Sequence, residues 1–211
     1  MIKRELYMNR IRPFIGGELI KGMTGIRRSG KSVMLDLIKE ELVESGIDSA
    51  QFISINFEDM RYSHLQTATA LHDEIIKRAE GIEGKAYLFF DEIQEVEGWE
   101  KCVNSLRVAL DCDIYITGSN AKLLSGELAT YIGGRYVEFV IYPFSFAEFL
   151  ELYHTIAPSD SIQQCFQKYL LAGGMPYLAN LRYEEEPSRQ YLTDQFCAAQ
   201  RYRKTEQDSG Y

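Results

Sequence analysis

Between Thr24 and Ser32 the chain reads TGIRRSGKS: Gly25 and Gly30 with four residues between them, then Lys31 and Ser32. That spacing suits a loop that wraps a phosphate chain. A phosphate needs many short-range donors and close approach of the backbone, and two glycines let successive N–H groups turn inward. The expected cradle is Gly25, Ile26, Arg27, Arg28, Ser29, Gly30, Lys31, Ser32 and Val33, ending in a helix N-terminus that adds partial positive charge. Lys31 suits the β- and γ-phosphates of ATP, and the Ser32 hydroxyl suits Mg2+. Arg27 and Arg28 are read two ways, as extra charge near a triphosphate or a neighbouring subunit, and as solvated side chains.

Three further stretches carry chemistry. YLFFDEIQ is an apolar strand ending in two carboxylates, 60 positions after Lys31 (31 to 91). Asp91 is the expected Mg2+ ligand, directly or through water, and Glu92 the general base that polarises a water for attack on the γ-phosphate. YITGSNA closes the next strand with Thr117, Ser119 and Asn120. Asn120 is the residue assigned to face the γ-phosphate, with Ser119 suited to capping the next helix. GELATYIGGRYVEF sets Arg135 behind two glycines. Its guanidinium would stabilise transition-state charge, on its own site or a neighbour's, or else bond to nearby acidic residues.

The elements that must position these groups alternate. ELYMNRIRPFI reads as an amphipathic helix ended by Pro13. Five apolar strands follow: ELIKGMT, AQFISINF, AYLFF, DIYITGS and RYVEFVIY. Helical patterns separate them, after Lys31, at 67–79, over GWEKCVNSLRVALD and at 121–131. Such alternation implies a mostly parallel sheet in an α/β fold. From Pro143 the pattern is helical, as in SFAEFLELY and SDSIQQCFQKYLLAGG. The expected organisation is a core over 1–142 with its N-terminal linker helix, a helical lid or start of a further module over 143–193, and a polar tail over 194–211. Trp99 is expected to pack on the sheet, and GGMPYL to break a helix.

A chain of 211 residues can bury one sizeable core with a small appendage. Its net charge of −8 argues against non-specific binding to DNA or anionic membranes. The four cysteines are scattered without a C-x-x-C pair, which implies free thiols in a reducing cytoplasm and no metal cluster. No apolar run reaches membrane-spanning length.

With these stretches in view, the chain resembles the AAA-type P-loop ATPases. It is closer still to the bacterial and archaeal group whose ATPase core precedes a C-terminal domain of unknown function. GIRRSGKS, FDEIQEVEGWE, TGSNAKLLSGELATYIGGRY, YPFSFAEF and YLLAGGMPYL carry the likeness across 10–182. The resemblance implies a three-layer P-loop fold with parallel sheet order 5-1-4-3-2, Glu92 as base and Asn120 as sensor. It also implies an adenine shelf around Ile11 to Ile15, whose apolar residues core packing explains as well. QFCAAQRYRKTEQDSGY departs from the group's pattern and reads as a truncation or a frameshift.

The function expected is Mg2+-dependent ATP hydrolysis that drives or gates a change in a partner, in the cytoplasm. The partner is an unidentified protein client, the missing C-terminal domain or a second copy in a homo-oligomer. Nucleic acid is conceivable from the superfamily but unsupported by the acidic balance. Two alternatives stand beside it: a switch that binds ATP without hydrolysing it, and a small-molecule kinase, which the Asp91–Glu92 pair and the polar strand end disfavour.

Overall fold

Alternation along the strand Ala86–Asp91 (β3) explains how the layers form. Tyr87 and Phe89 point to one face of the sheet, and Leu88 and Phe90 to the other, and all are buried. A strand apolar on both sides needs cover on both sides. On one face lie the helices Glu5–Ile11 (α1) and Lys31–Glu44 (α2), whose Met8, Ile11, Met34 and Ile38 pack with Phe89 and Tyr115. On the other face lie Ala68–Ala79 (α3) and Trp99–Ala109 (α4), whose Leu71, Ile75, Val103 and Leu106 pack with Leu88 and Phe90. Truncating a side chain as buried as Phe89 to alanine costs roughly 3–5 kcal/mol.

The computed structural model describes residues 2–118 and 133–195. The other four strands of the sheet are Ile20–Thr24 (β1), Phe52–Asn56 (β2), Cys112–Thr117 (β4) and Tyr136–Val140 (β5). Every pairing is parallel, in the order β2-β3-β4-β1-β5. This is the expected 5-1-4-3-2 read from the other edge. Burial follows position: β1, β3 and β4 are buried throughout, whereas β2 alternates and β5 is mostly half-buried.

Local signals set the helix ends. Pro13 sits in a 3-10 turn, Arg12–Phe14, that closes α1. The Thr67 hydroxyl accepts the Ala70 N–H at 3.4 Å and starts α3. Trp99 opens α4 buried in the core, as its aromatic bulk suggests. The expected helix over 121–131 lies outside the described residues.

The chain divides into two compact units, Lys3–Tyr142 and the segment from Pro143 onward. The second holds Phe146–Tyr153 (α5), Ile162–Ala172 (α6) and a helix over 185–195. Ser145 with Glu148, and Ser161 with Gln164, form reciprocal caps at the starts of α5 and α6. Gly173 ends α6, and Pro176 opens a 3-10 turn, so GGMPYL is a helix break. Its core is aromatic: Phe149 stacks on Tyr153 at 5.1 Å and meets the Tyr183 ring edge-on at 4.9 Å.

Candidate functional site

β1 delivers Thr24 to the carboxyl edge of the sheet, and the chain then turns through Gly25–Gly30 into α2. The turn admits no side chain at its first position. Gly25 has φ +141°, and a Cβ there would lie 2.2 Å from the Ile141 carbonyl oxygen. Gly30, at φ +102°, makes the left-handed entry to α2. Lys31 follows and is only 4% exposed. Its Nζ lies 3.5 Å from the carbonyl oxygens of Gly25 and Ile26, so the side chain folds back over the loop. Ser29 is fully buried and its Oγ has no hydrogen-bond partner among the described residues. Ile26, Ser32 and Val33 are exposed. Arg27 is exposed and pairs with Glu58 at 3.2 Å, a contact worth little in water. Arg28 is exposed and left-handed, at φ 65°.

The ends of β3 and β4 meet this loop. Asp91 is buried, and its two oxygens accept from the Thr117 hydroxyl and, at 3.2 Å, from Asn56 Nδ2. The Thr117 oxygen in turn accepts the Glu92 N–H at 2.9 Å. That bond holds Glu92 in the left-handed region at φ 54°, an uncommon conformation for a residue with a side chain. The turn carries the Glu92 carboxylate toward the loop, where Oε1 lies 3.6 Å from Lys31 Nζ and the other oxygen accepts from Gln94. Lys31, Asp91 and Glu92, expected to act together, are therefore gathered at one edge.

Other expectations change. Asn120 and Ser119 lie outside the described residues. Thr117, named with them as a polar strand end, is the residue of that stretch seen to join Asp91 to Glu92. Arg135 is not at its own site. Its carbonyl accepts from Ile20 at the start of β1, and its guanidinium bonds to Asn104 of α4 at 3.0 Å. Five residues of strand separate that point from Gly25, about 16 Å, which no arginine side chain spans.

The adenine shelf is also displaced. Ile11 is fully buried among Met8, Met34 and Ile38. Arg12 pairs with Glu41 at 2.7 Å, ten positions along α2 from Lys31, or about 15 Å. Gly16 N–H donates to Asp113 at the start of β4. Ile11–Ile15 thus runs to the edge of the sheet opposite the loop.

The donor set fits a nucleotide and a hard cation. The loop offers backbone amides and a buried lysine amine. Asp91 retains a lone pair on each oxygen beyond its hydrogen bonds, and oxygen is what Mg2+ takes.

A family model described as an AAA domain matches residues 18–150, well over half the chain. The chain belongs to the AAA domain family. An uncharacterised protein of Haemophilus influenzae is 44% identical over 176 residues, covering 83% of this chain and 44% of that protein. An uncharacterised protein of Methanocaldococcus jannaschii is 36% identical over 166 residues, covering 74% of this chain and 35% of that protein. The AAA chain described here therefore spans less than half the length of either relative. In fold it is similar to AMPPCP-bound DnaA from Aquifex aeolicus, with a TM-score of 0.56 at 16% identity, covering 98% of this chain and 67% of that one. Among the described residues no helix is long and apolar enough to cross a membrane.

Proposed function

We propose that this AAA domain binds ATP in the cradle Gly25–Val33 and hydrolyses it with the aid of Mg2+, driving or gating a change in a partner. The observation that carries this reading is the approach of Lys31 Nζ to Glu92 Oε1, 3.6 Å, at the carboxyl edge of the sheet. A loop lysine and a strand-end carboxylate converge where phosphate and attacking water would meet.

In this reading Lys31 moves from the Gly25 and Ile26 carbonyls onto the β- and γ-phosphates. The phosphate charge competes with Glu92 for the ammonium, so nucleotide binding loosens the Glu92 carboxylate to take a proton from water. The Ser32 hydroxyl and Asp91 would hold Mg2+, which neutralises phosphate charge. Thr117 and Asn56 keep Asp91 oriented. Asn120 faces the γ-phosphate as sensor, and Arg135 serves the site of a neighbouring copy in a homo-oligomer. The helical unit from Pro143 acts as a lid or as the first part of a C-terminal module that passes the change to a client.

A second reading, ATP held without hydrolysis, is favoured by the contacts that occupy Glu92 on both oxygens. Phosphate release from Mg2+-ATP and binding of a fluorescent ATP analogue separate the two. Hydrolysis requires release that Lys31→Ala abolishes together with binding, and that Glu92→Gln abolishes while binding persists. Binding without release in the wild-type chain selects the switch, and absence of both overturns the nucleotide reading.

A further inference from the structure

Arg4 is a charged residue buried beside the cradle, and neither the loop motif nor the strand-end carboxylates account for it. It is 2% exposed and sits in the left-handed region, φ 48° and ψ 46°, immediately before α1. Nη1 donates to the Ser29 carbonyl at 2.9 Å, and Nη2 donates to the Tyr142 carbonyl at 2.8 Å. The guanidinium also lies over the Tyr7 ring, 4.6 Å from its centre, and the Tyr7 hydroxyl oxygen accepts the Tyr142 N–H at 3.1 Å. A strained backbone and a buried cation are both costly, and the two hydrogen bonds that help offset them reach the loop at Ser29 and the segment just after β5 at Tyr142.

We propose that Arg4 is a positioning residue of the phosphate cradle, fixing the Ser29–Gly30 peptide so that the Gly30 N–H faces the phosphates; this rests on the nucleotide reading above. A trans peptide is planar, with its C=O and N–H pointing opposite ways. Holding the Ser29 oxygen from behind turns the Gly30 N–H away from Arg4. The guanidinium lies directly against that peptide: a Cβ built on Gly30 would lie 3.3 Å from Nη1. Arginine suits the role because its rigid fork serves two carbonyls at once, which one lysine amine cannot do. The second prong ties the loop to the end of β5, so the cradle is braced from the strand beside β1 as well as from α2.

The test uses the whole chain and two readouts. Affinity for a fluorescent ATP analogue is measured for wild type, Arg4→Gln and Arg4→Lys, at a temperature well below unfolding. The Gly30 amide resonance and its hydrogen-exchange rate are followed by 15N NMR without nucleotide. Val103→Ala, a core change in α4, controls for stability loss. Arg4→Gln is expected to weaken the analogue about tenfold, the scale of one charged hydrogen bond, and to shift the Gly30 amide. Arg4→Lys is expected to fall between, and Val103→Ala to change neither readout. If Arg4→Gln does not fold, Arg4→Lys carries the comparison. Wild-type affinity with an unmoved Gly30 amide in a folded Arg4 variant overturns the positioning role. A wild-type chain that does not bind the analogue overturns the nucleotide reading instead, and the Gly30 amide still reports whether Arg4 orients that peptide.

Discussion

The hydroxyl of Thr117 accepts the backbone N–H of Glu92 at 2.9 Å, across two neighbouring strands. The same hydroxyl donates to Asp91, so one buried oxygen ties the Asp91 carboxylate to the Glu92 backbone at the end of β3. Thr117→Val keeps the shape and removes the hydroxyl. It should lower stability by about 1–3 kcal/mol in urea unfolding, because two buried groups lose their partner. Phosphate release should fall further than analogue binding, since Glu92 loses the bond that holds its turn. Thr117→Ser should recover most of both.

Arg135 lies at the opposite edge of the sheet from its own loop, so action on a γ-phosphate requires a second copy. Arg135→Ala should cut phosphate release about a thousandfold or more while leaving analogue binding intact. Glu92→Gln should be equally inactive. Mixing the two variants should restore measurable release, because some interfaces then join an intact Glu92 to an intact Arg135. A mixture as silent as its parts would show that Arg135 has no role across copies.

At that same far edge, Lys21 and Asp113 form an ion pair with both side chains fully buried. Asp113 also accepts from Gly16 N–H at 2.6 Å and from the Tyr115 hydroxyl at 2.8 Å. Asp113→Ala strands the lysine charge and should cost about 3–5 kcal/mol by urea unfolding. Lys21→Met combined with Asp113→Leu should cost distinctly less than Asp113→Ala alone. A loss in the double variant as large as in Asp113→Ala would mean that the pair contributes net stability over apolar side chains.

Burial pushes the Cys102 thiol up to about 12 and the Cys112 thiol up to about 11, from an ordinary 9.0. A folded-state value above the unfolded one gives stability that is complete below pH 9 and declines as pH rises toward the raised values. Urea midpoints should therefore drop between pH 9 and 11, and less so in Cys102→Ala. At pH 8 a thiol reagent should label Cys102 and Cys112 only as fast as the chain opens. Labelling at the rate of a free thiol would contradict the burial.

The cradle was legible because its parts are local. Gly25 to Ser32 is one unbroken segment between a strand and a helix, and Asp91–Glu92 ends an apolar run, so spacing and hydropathy suffice. The sheet order came from the family likeness rather than from periodicity. Arg4 was not legible: its partners, Ser29 and Tyr142, are 25 and 138 positions away, and a lone arginine before a helix carries no pattern. Thr117 was noticed as polar, but its tie to Asp91 and Glu92 exists only once β3 and β4 lie side by side. The adenine shelf at Ile11–Ile15 was implied by the family likeness alone, since an apolar stripe has the same spacing whether it covers a core or a ligand. Arg135 followed two glycines, as a site residue could, and only the register of β5 on β1 shows which end of the sheet it occupies.

The placement of β1 between β4 and β5 also bears on how the chain is made. The strand that launches the cradle finds its lateral neighbours only at 112–117 and 136–140, and the Arg4 brace closes on Tyr142. During synthesis the motif leaves the ribosome roughly a hundred residues before the strands that give it shape, in a sheet of long sequence separations that folds slowly. Until then Lys31 follows a strand that has no neighbours. Nascent chains halted before β5 clears the exit tunnel would carry the whole phosphate motif and still have nowhere to seat a nucleotide.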